Sequence, residues 1–388
     1  MKVITVIGTR PEAIKMAPVA KELAKYPQEI QSLVCATAQH REMLDQATAV
    51  FDVTPDYDLN VMQAGQSLSD LTARLLVALD ELVAREKPDW LLVQGDTTTV
   101  MAGSLVAYYH RVKVGHVEAG LRTGDKFQPF PEEINRRVAG VVSDLHFAPT
   151  QVNRQNLLRE GVPDSSILVT GNTVIDALHS IVGRARRRVR TEWEPRLNGR
   201  RLILVTAHRR ENFGEPLREI CQALASIAGQ YSSDVQILYP VHLNPQVWNP
   251  VHGALGNVAN ITLTRPLDYE AFVGLMDRAH LVLTDSGGLQ EEAAGLGKPV
   301  LVLREVTERP EAVEAGTVRV VGTSCRRIVD ETQVLLDDAV AYGRMAQAVN
   351  PYGDGRASQR IVAALRGKPV KPFVPSGTLG DPSRRSQD

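Results

Sequence analysis

The chain has 388 residues, 44 Lys+Arg against 45 Asp+Glu, a formal net charge of -1 and 43% hydrophobic residues. That length favours two domains with real cores, and the even charge gives no electrostatic reason for nucleic acid or an anionic membrane surface as partner. No membrane helix, which needs about 20 apolar residues, is expected. Cys35, Cys221 and Cys325 stand apart without CxxC spacing, so neither a disulfide framework nor a zinc site is expected, and a reducing cytoplasm fits best.

The pattern along the chain is strand, polar turn, helix, repeated. Lys2–Ile7 is apolar and β-rich and reads as a strand, not as the apolar region of a signal peptide. Further strands are expected at 30–36, 90–93, 112–117, Leu145–Ala148 and 167–170. A second series follows at 202–206, 235–239, 261–263, Leu281–Thr284, 299–303 and Val318–Val320. Amphipathic stretches between them read as helices, such as 68–85 behind a Ser67 cap, and 217–228. Strands alternating with helices through short connections imply parallel sheets covered on both faces. The fold class expected is α/β, with two doubly wound parallel-sheet domains.

The joint is placed near 170–200, where Gly171-Asn172 precedes a long helix from Thr173 to about Val189. Arg184, Arg186, Arg187, Arg188 and Arg190 form a basic run there, read as a solvated helix end favoured by the helix dipole. The expected domains are 1–170, which carries the carboxylates, and 171–367. The Pro-, Gly- and Ser-containing segment 368–388 reads as a flexible tail.

In open parallel sheets, ligands bind beyond the carboxyl ends of the strands. At those ends stand Gly8-Thr9-Arg10-Pro11-Glu12, opening a helix with Lys15, then Gly95-Asp96-Thr97 and Glu118-Ala119-Gly120. In the second series stand Ala207-His208-Arg209-Arg210, Asp285-Ser286-Gly287-Gly288, and Arg304 followed by Arg309. The two domains are expected to face each other across a cleft, with carboxylates on one wall and anion-binding groups on the other. Ser286-Gly287-Gly288 at a helix start exposes free N–H groups, which suit a diphosphate; a plain cap with glycine for close packing is the competing reading. Glu292, one turn on, is either an acceptor for ribose hydroxyls or a solvated helix residue, the commoner case for a lone Glu. Arg309 belongs near the same ligand or bridges to Glu311 or Glu314.

Asp96 is either a helix cap or a working carboxylate. Glu118 lies between apolar Val117 and Ala119 at a strand end, where a charge needs a purpose. Glu132 is four residues from Arg136, the spacing of a surface ion pair, and the sequence does not separate it from Glu133. His208 and His242 have no second His or Cys at ligand spacing, so no metal is expected.

With these motifs assembled, the chain resembles the non-hydrolysing UDP-N-acetylglucosamine 2-epimerases. The resemblance runs from Gly8-Thr9-Arg10-Pro11-Glu12 through His116-Val117-Glu118-Ala119-Gly120, Pro131-Glu132-Glu133 and His208-Arg209-Arg210-Glu211. It continues through Asp285-Ser286-Gly287-Gly288-Leu289-Gln290-Glu291-Glu292 to Asn350-Pro351-Tyr352-Gly353-Asp354-Gly355. It implies two Rossmann-like domains of the GT-B type, a homodimer, interconversion of UDP-GlcNAc with UDP-ManNAc, and a last helix, about 356–366, that returns to the first domain. Carried over, the uridine diphosphate contacts are Arg10, His208, Phe272, Ser286, Gly287, Gly288, Glu292 and Arg309. The catalytic group is Lys15, Asp96, Glu118 and Glu132, with His208 beside the leaving diphosphate and Arg136 near the sugar. Some relatives are activated by a second substrate molecule in the region matching 39–42 and Gly65. They resemble one another in a basic residue where Gly65 stands here, so that activation is not expected.

The C2 hydrogen of the sugar is not acidic, because no carbonyl adjoins it. Oxidising C3 first needs a nicotinamide, and Gly8-Thr9-Arg10 lacks the G-x-G-x-x-G fingerprint, so no cofactor is expected. The other route expels UDP from C1 as a carboxylate takes the C2 proton, giving 2-acetamidoglucal; UDP then re-adds. That needs two proton-handling groups and a cationic clamp. A GT-B glycosyltransferase, a hydrolysing epimerase and a non-catalytic nucleotide-sugar sensor are the competing readings. The buried-looking Glu118 speaks against the sensor.

Overall fold

The structure is a computed structural model and describes residues 1–37, 48–63 and 65–375. Among the described residues the chain forms two all-parallel sheets. The first joins β1 (Lys2–Ile7), β2 (Gln31–Ala36), β3 (Tyr57–Asp58), β4 (Trp90–Gln94), β5 (Lys113–Val117), β6 (Leu145–Ala148) and β7 (Ile167–Val169) in the order 3-2-1-4-5-6-7. The second joins β8 (Arg201–Thr206), β9 (Val235–Pro240), β10 (Ile261–Thr264), β11 (Leu281–Thr284), β12 (Val300–Val302) and β13 (Val318–Val320) in the order 10-9-8-11-12-13. Each order reverses once, between β1 and β4 and between β8 and β11. Those reversals are the switch points at which doubly wound sheets bind ligands.

Sequence patterning explains the elements. The helix Leu68–Glu86 starts where Ser67 and Asp70 cap each other reciprocally. Its Leu71, Leu75, Leu79 and Leu82, spaced by four and three residues, are buried against the first sheet. The central strands are buried end to end, as parallel strands covered on both faces must be. The two-residue edge strand β3 carries no periodic pattern, so the sequence reading passed over it.

The compact units are residues Met1–Ser180 with Tyr352–Val374, and Ile181–Pro351. The division falls inside the long helix Thr173–Glu192 rather than before it, because that helix's first turns pack within the first unit. The helix Ala357–Leu365 packs on Arg10–Leu23 in the first unit. The flexible reading of the tail fails for its first residues. Phe373 is 3% exposed, its N–H donates to Val169 O at 2.8 Å, and Arg360 lies over its ring. The segment matching the activation site, 39–42, lies outside the described residues.

The basic run is not a set of free charges. Arg184 pairs with Glu270, Arg186 with Asp277, and Arg188 with Asp268 and Glu192. These contacts fasten the second half of the long helix to Tyr269–Arg278.

Candidate functional site

In the first unit, β1 runs into Gly8-Thr9 and the helix Arg10–Leu23. Thr9 accepts from Glu12 N, and the buried Glu12 carboxylate accepts from Gly8 N at 2.9 Å, Thr9 N at 2.6 Å and the Thr97 hydroxyl at 2.7 Å. Glu12 therefore shapes the loop, with burial pushing its carboxyl above the usual range. Half-buried Arg10 opens the helix, and Lys15 lies just over a turn further along it.

Lys15 Nζ sits 2.6 and 2.7 Å from the two oxygens of Glu118. Glu118 follows β5 at φ 63°, a left-handed conformation that costs a non-glycine residue about 1–2 kcal/mol. The residue is 6% exposed. Its carboxylate also accepts from Gln94 Nε2, at the end of the neighbouring strand, and from Asn172 Nδ2 at 3.0 Å. The neighbouring β4–helix loop brings Asp96 alongside. Thr97, not Asp96, caps the following helix, since the Thr97 hydroxyl accepts from Val100 N. Asp96 is free to pair with Arg136, Nη2 to Oδ2 at 2.6 Å. Burial raises the Asp96 carboxyl; Arg136 opposes the shift, and Glu118 and Glu132 add to it.

The structure separates the two glutamates that the sequence left joined. Glu133 is wholly buried and accepts from Thr123 N, Gly124 N and Arg137. It holds the loop together. Glu132 is only half-buried, lies within electrostatic reach of Asp96, and accepts no hydrogen bond from any described residue. Arg136 bonds Asp96 instead of making the surface pair with Glu132, and its buried Nε has no partner among the described residues.

In the second unit, β8 ends at Ala207-His208 and its neighbour β11 ends at Asp285-Ser286. Asp285 is wholly buried. Its Oδ2 accepts from His208 N at 2.7 Å, Arg209 N at 2.8 Å and Asn212 Nδ2 at 3.1 Å. The His208 ring stands beside it, Nδ1 3.5 Å from Oδ1, and stacks on His242 with centroids 5.5 Å apart. Burial lowers the His208 pKa, with Asp285 opposing. The helix Gly287–Gly295 begins at Ser286, whose side chain makes no cap bond. A Cβ placed at Gly288 would meet nothing within 4 Å, so the first turn's N–H groups are approachable. Glu292 accepts from the Tyr269 hydroxyl at 2.7 Å, on the helix that also carries half-buried Phe272. Arg309 donates from Nε to Glu291.

The residues singled out from sequence thus fall into two sets. Arg10, Lys15, Asp96, Glu118, Glu132 and Arg136 stand on the first unit. His208, Phe272, Ser286, Gly287, Gly288, Glu292 and Arg309 stand on the second. Three residues that organise them carry no assigned role in the sequence reading: Gln94, Asn172 and Asp285. Gln94 ends a strand, Asp285 follows one directly and Asn172 lies three residues beyond one, and that position was the available signal. Among the described residues, no group of three His, Cys, Asp or Glu side chains is placed to hold a metal ion. No described helix is long and apolar enough to cross a membrane.

Comparison with known proteins agrees with this geometry. The family model described as UDP-N-acetylglucosamine 2-epimerase matches residues 21–366. The UDP-N-acetylglucosamine 2-epimerase of Salmonella typhimurium is 57% identical, across 94% of this chain and 98% of that protein. That of Bacillus subtilis is 53% identical, across 94% and 95%. The crystal structure of a Neisseria meningitidis UDP-GlcNAc 2-epimerase bound to UDP-GlcNAc is 47% identical, with a TM-score of 0.89, across 95% of this chain and 100% of that one. A Methanocaldococcus jannaschii UDP-GlcNAc 2-epimerase, in complex with UDP-GlcNAc and UDP, matches with a TM-score of 0.79 at 33% identity, across 95% and 100%. The fold is the GT-B type, two Rossmann-like domains. The chain belongs to the UDP-N-acetylglucosamine 2-epimerase family.

Proposed function

We propose that this enzyme interconverts UDP-GlcNAc and UDP-ManNAc by eliminating UDP and adding it back. The observation that carries the reading is Glu118, a buried carboxylate in a strained backbone conformation at a strand end, gripped by Lys15 and two amides with Asp96 alongside. A fold has no structural need for such a group there, and proton transfer does.

The carboxylates of the first unit handle the C2 proton. One of them takes it while the C1–O bond breaks; the electron pair leaves with UDP and C1=C2 forms. Protonation of C2 from the opposite face and re-addition of UDP complete the inversion. The raised pKa of Asp96 brings its basicity closer to that of neutral solution, which suits reversible transfer. Lys15 and Arg136 keep the neighbouring carboxylates from repelling one another out of position. On the second unit, the open turn at Ser286-Gly287-Gly288 binds the diphosphate, with Arg309 and His208 at its edge. Glu292 accepts from the ribose, and Phe272 lies against the base. The reaction needs no redox cofactor.

The enzyme acts in the cytoplasm as a homodimer. Three adjacent helices, Leu68–Glu86, Thr98–Tyr109 and Glu132–Val142, leave Val77, Tyr108, Tyr109 and Val141 more than 60% exposed, a cost that a second copy would remove.

Proton NMR of UDP-GlcNAc with the enzyme in D₂O tests the activity. The C2 proton signal should fade while a UDP-ManNAc spectrum grows. Retention of the C2 proton with no epimer formed refutes the reading.

A further inference from the structure

We propose that Asn172 is a positioning residue for the epimerisation: its side-chain amide sets the Glu118 carboxylate from the joint where the chain leaves and re-enters the first unit. The inference rests on the working role given to Glu118 above.

Three bonds to described residues hold Asn172. Its Nδ2 donates to Glu118 Oε1 at 3.0 Å, its Oδ1 accepts from Val174 N at 3.1 Å, and its own N–H donates to Tyr352 O at 2.6 Å. The amide cannot turn over, because a carboxylate demands the donor end and the Val174 N–H demands the acceptor end. The third bond ties the outgoing chain to the returning one. The same two segments are latched twice more. Asp176 accepts from Ala357 N at 3.1 Å and from Ser358 N at 2.8 Å, and so caps the returning helix from outside it. Arg360 Nη1 donates to Thr170 O at 3.0 Å. Gly171, at φ 82°, lets the segments touch, since a Cβ there would stand 3.2 Å from Gly353 Cα.

Glu118 is therefore held from three directions: by Lys15 on one helix, by Gln94 on the adjacent strand, and by Asn172 on the crossing itself. The first two belong to the sheet's own frame. The third makes the carboxylate's position depend on the joint. A carboxylate misplaced by about 1 Å loses about 10²-fold in rate.

Asn172→Asp isolates this role. The new carboxyl still accepts from Val174 N, while the donor toward Glu118 is lost. Protonated, it donates to Glu118 as the amide did; ionised, it repels Glu118. The charged groups near it are Lys15 and Glu118, Asp176 on the helix that follows, and Asp354 and Arg360 on the returning segment, and all are kept. Turnover of the Asn172→Asp variant relative to wild type should rise at least 10-fold as pH falls from 8 to 5.5, with UDP affinity near wild type and a melting temperature that is lowered at pH 8 and recovers toward wild type at pH 5.5, because a buried carboxyl that resists ionising destabilises the fold as pH rises. Asn172→Ala should lose 10- to 100-fold in kcat with KM little changed, at a ratio independent of pH. A flat ratio for Asn172→Asp, or wild-type kcat in both variants, overturns the role of Asn172 alone. Absence of C2 proton exchange in the wild-type enzyme overturns the functional reading beneath it.

Discussion

Replacing Lys15 by Met removes a charge from beside a carboxylate that cannot reach water. The Glu118 side chain is 4% exposed and that of Lys15 is 16% exposed, so the pair is nearly dry. Breaking such a pair by deleting one partner costs about 3–5 kcal/mol, because the other charge is stranded. Here Gln94 and Asn172 still donate to Glu118, which softens the loss to about 2–4 kcal/mol. A domain of this size loses about 2–4 °C in Tm per kcal/mol, so Lys15→Met should lower the melting of the first unit by about 5–15 °C. Adding Glu118→Gln to Lys15→Met removes the stranded charge and keeps the side chain's shape. The double variant should therefore be more stable than Lys15→Met alone, and its loss should fall short of the sum of the two single losses by at least about 1.5 kcal/mol. Both should be inactive, and both should bind UDP as wild type does, because the diphosphate groups stand on the other unit. Differential scanning calorimetry of the four proteins in the cycle measures this. If the double variant melts at the sum of the two single losses, Lys15 and Glu118 do not interact as a buried pair, and the reasoning fails.

Gly288→Ala should leave the melting temperature unchanged, since its Cβ meets no atom within 4 Å, yet weaken UDP binding at least 10-fold in calorimetric titration. Unchanged UDP affinity would remove the diphosphate from this helix start. His116 is buried, its Nε2–H donates to Gly95 O at 2.7 Å, and burial pulls its pKa down to about 3. Between pH 6.5 and about 3 the unfolded chain binds a proton there that the folded chain refuses, so stability falls as pH falls through that window. His116→Asn should flatten the urea-derived stability profile by about 2 kcal/mol between pH 6.5 and 4.5. An unaltered slope would show that His116 is protonated in the folded enzyme. Val141→Asp should convert the proposed dimer to monomer in light scattering, and a wild-type protein that is already monomeric would refute the dimer.

Both sheets were legible because the strands are continuous apolar runs and several of the helices between them are amphipathic. The helix Leu68–Glu86 is the clearest case, with its cap and its buried stripe both written in the chain. Glu118 was legible for a related reason. A charged residue between Val117 and Ala119 contradicts its surroundings, and a local contradiction marks a site. That Lys15, Gln94 and Asn172 hold Glu118 was not legible, because each comes from elsewhere along the chain. Lys15 is 103 positions from Glu118 and Asn172 is 54. Gln94 and Asn172 are neutral amides, common on any surface, and nothing in their own neighbourhoods shows that they are buried against a charge.

The same contrast explains why the Glu132-Glu133 pair resisted reading and why the structure divides it. Adjacent residues on a helix point about 100° apart, so the two meet different surroundings. Sequence carries the pair but not the helix's rotation against its neighbours. Glu133 faces inward, where loop N–H groups and Arg137 use up its acceptor sites. A carboxylate so committed is wholly buried and tied to the loop it holds, which leaves it poorly placed to take a substrate proton. Glu132 faces Asp96 and spends none on its neighbours among the described residues. Availability, more than proximity, is what makes Glu132 the member of the pair fit for proton transfer. Glu132→Gln should therefore cost turnover with little loss of stability, and Glu133→Gln should cost stability first.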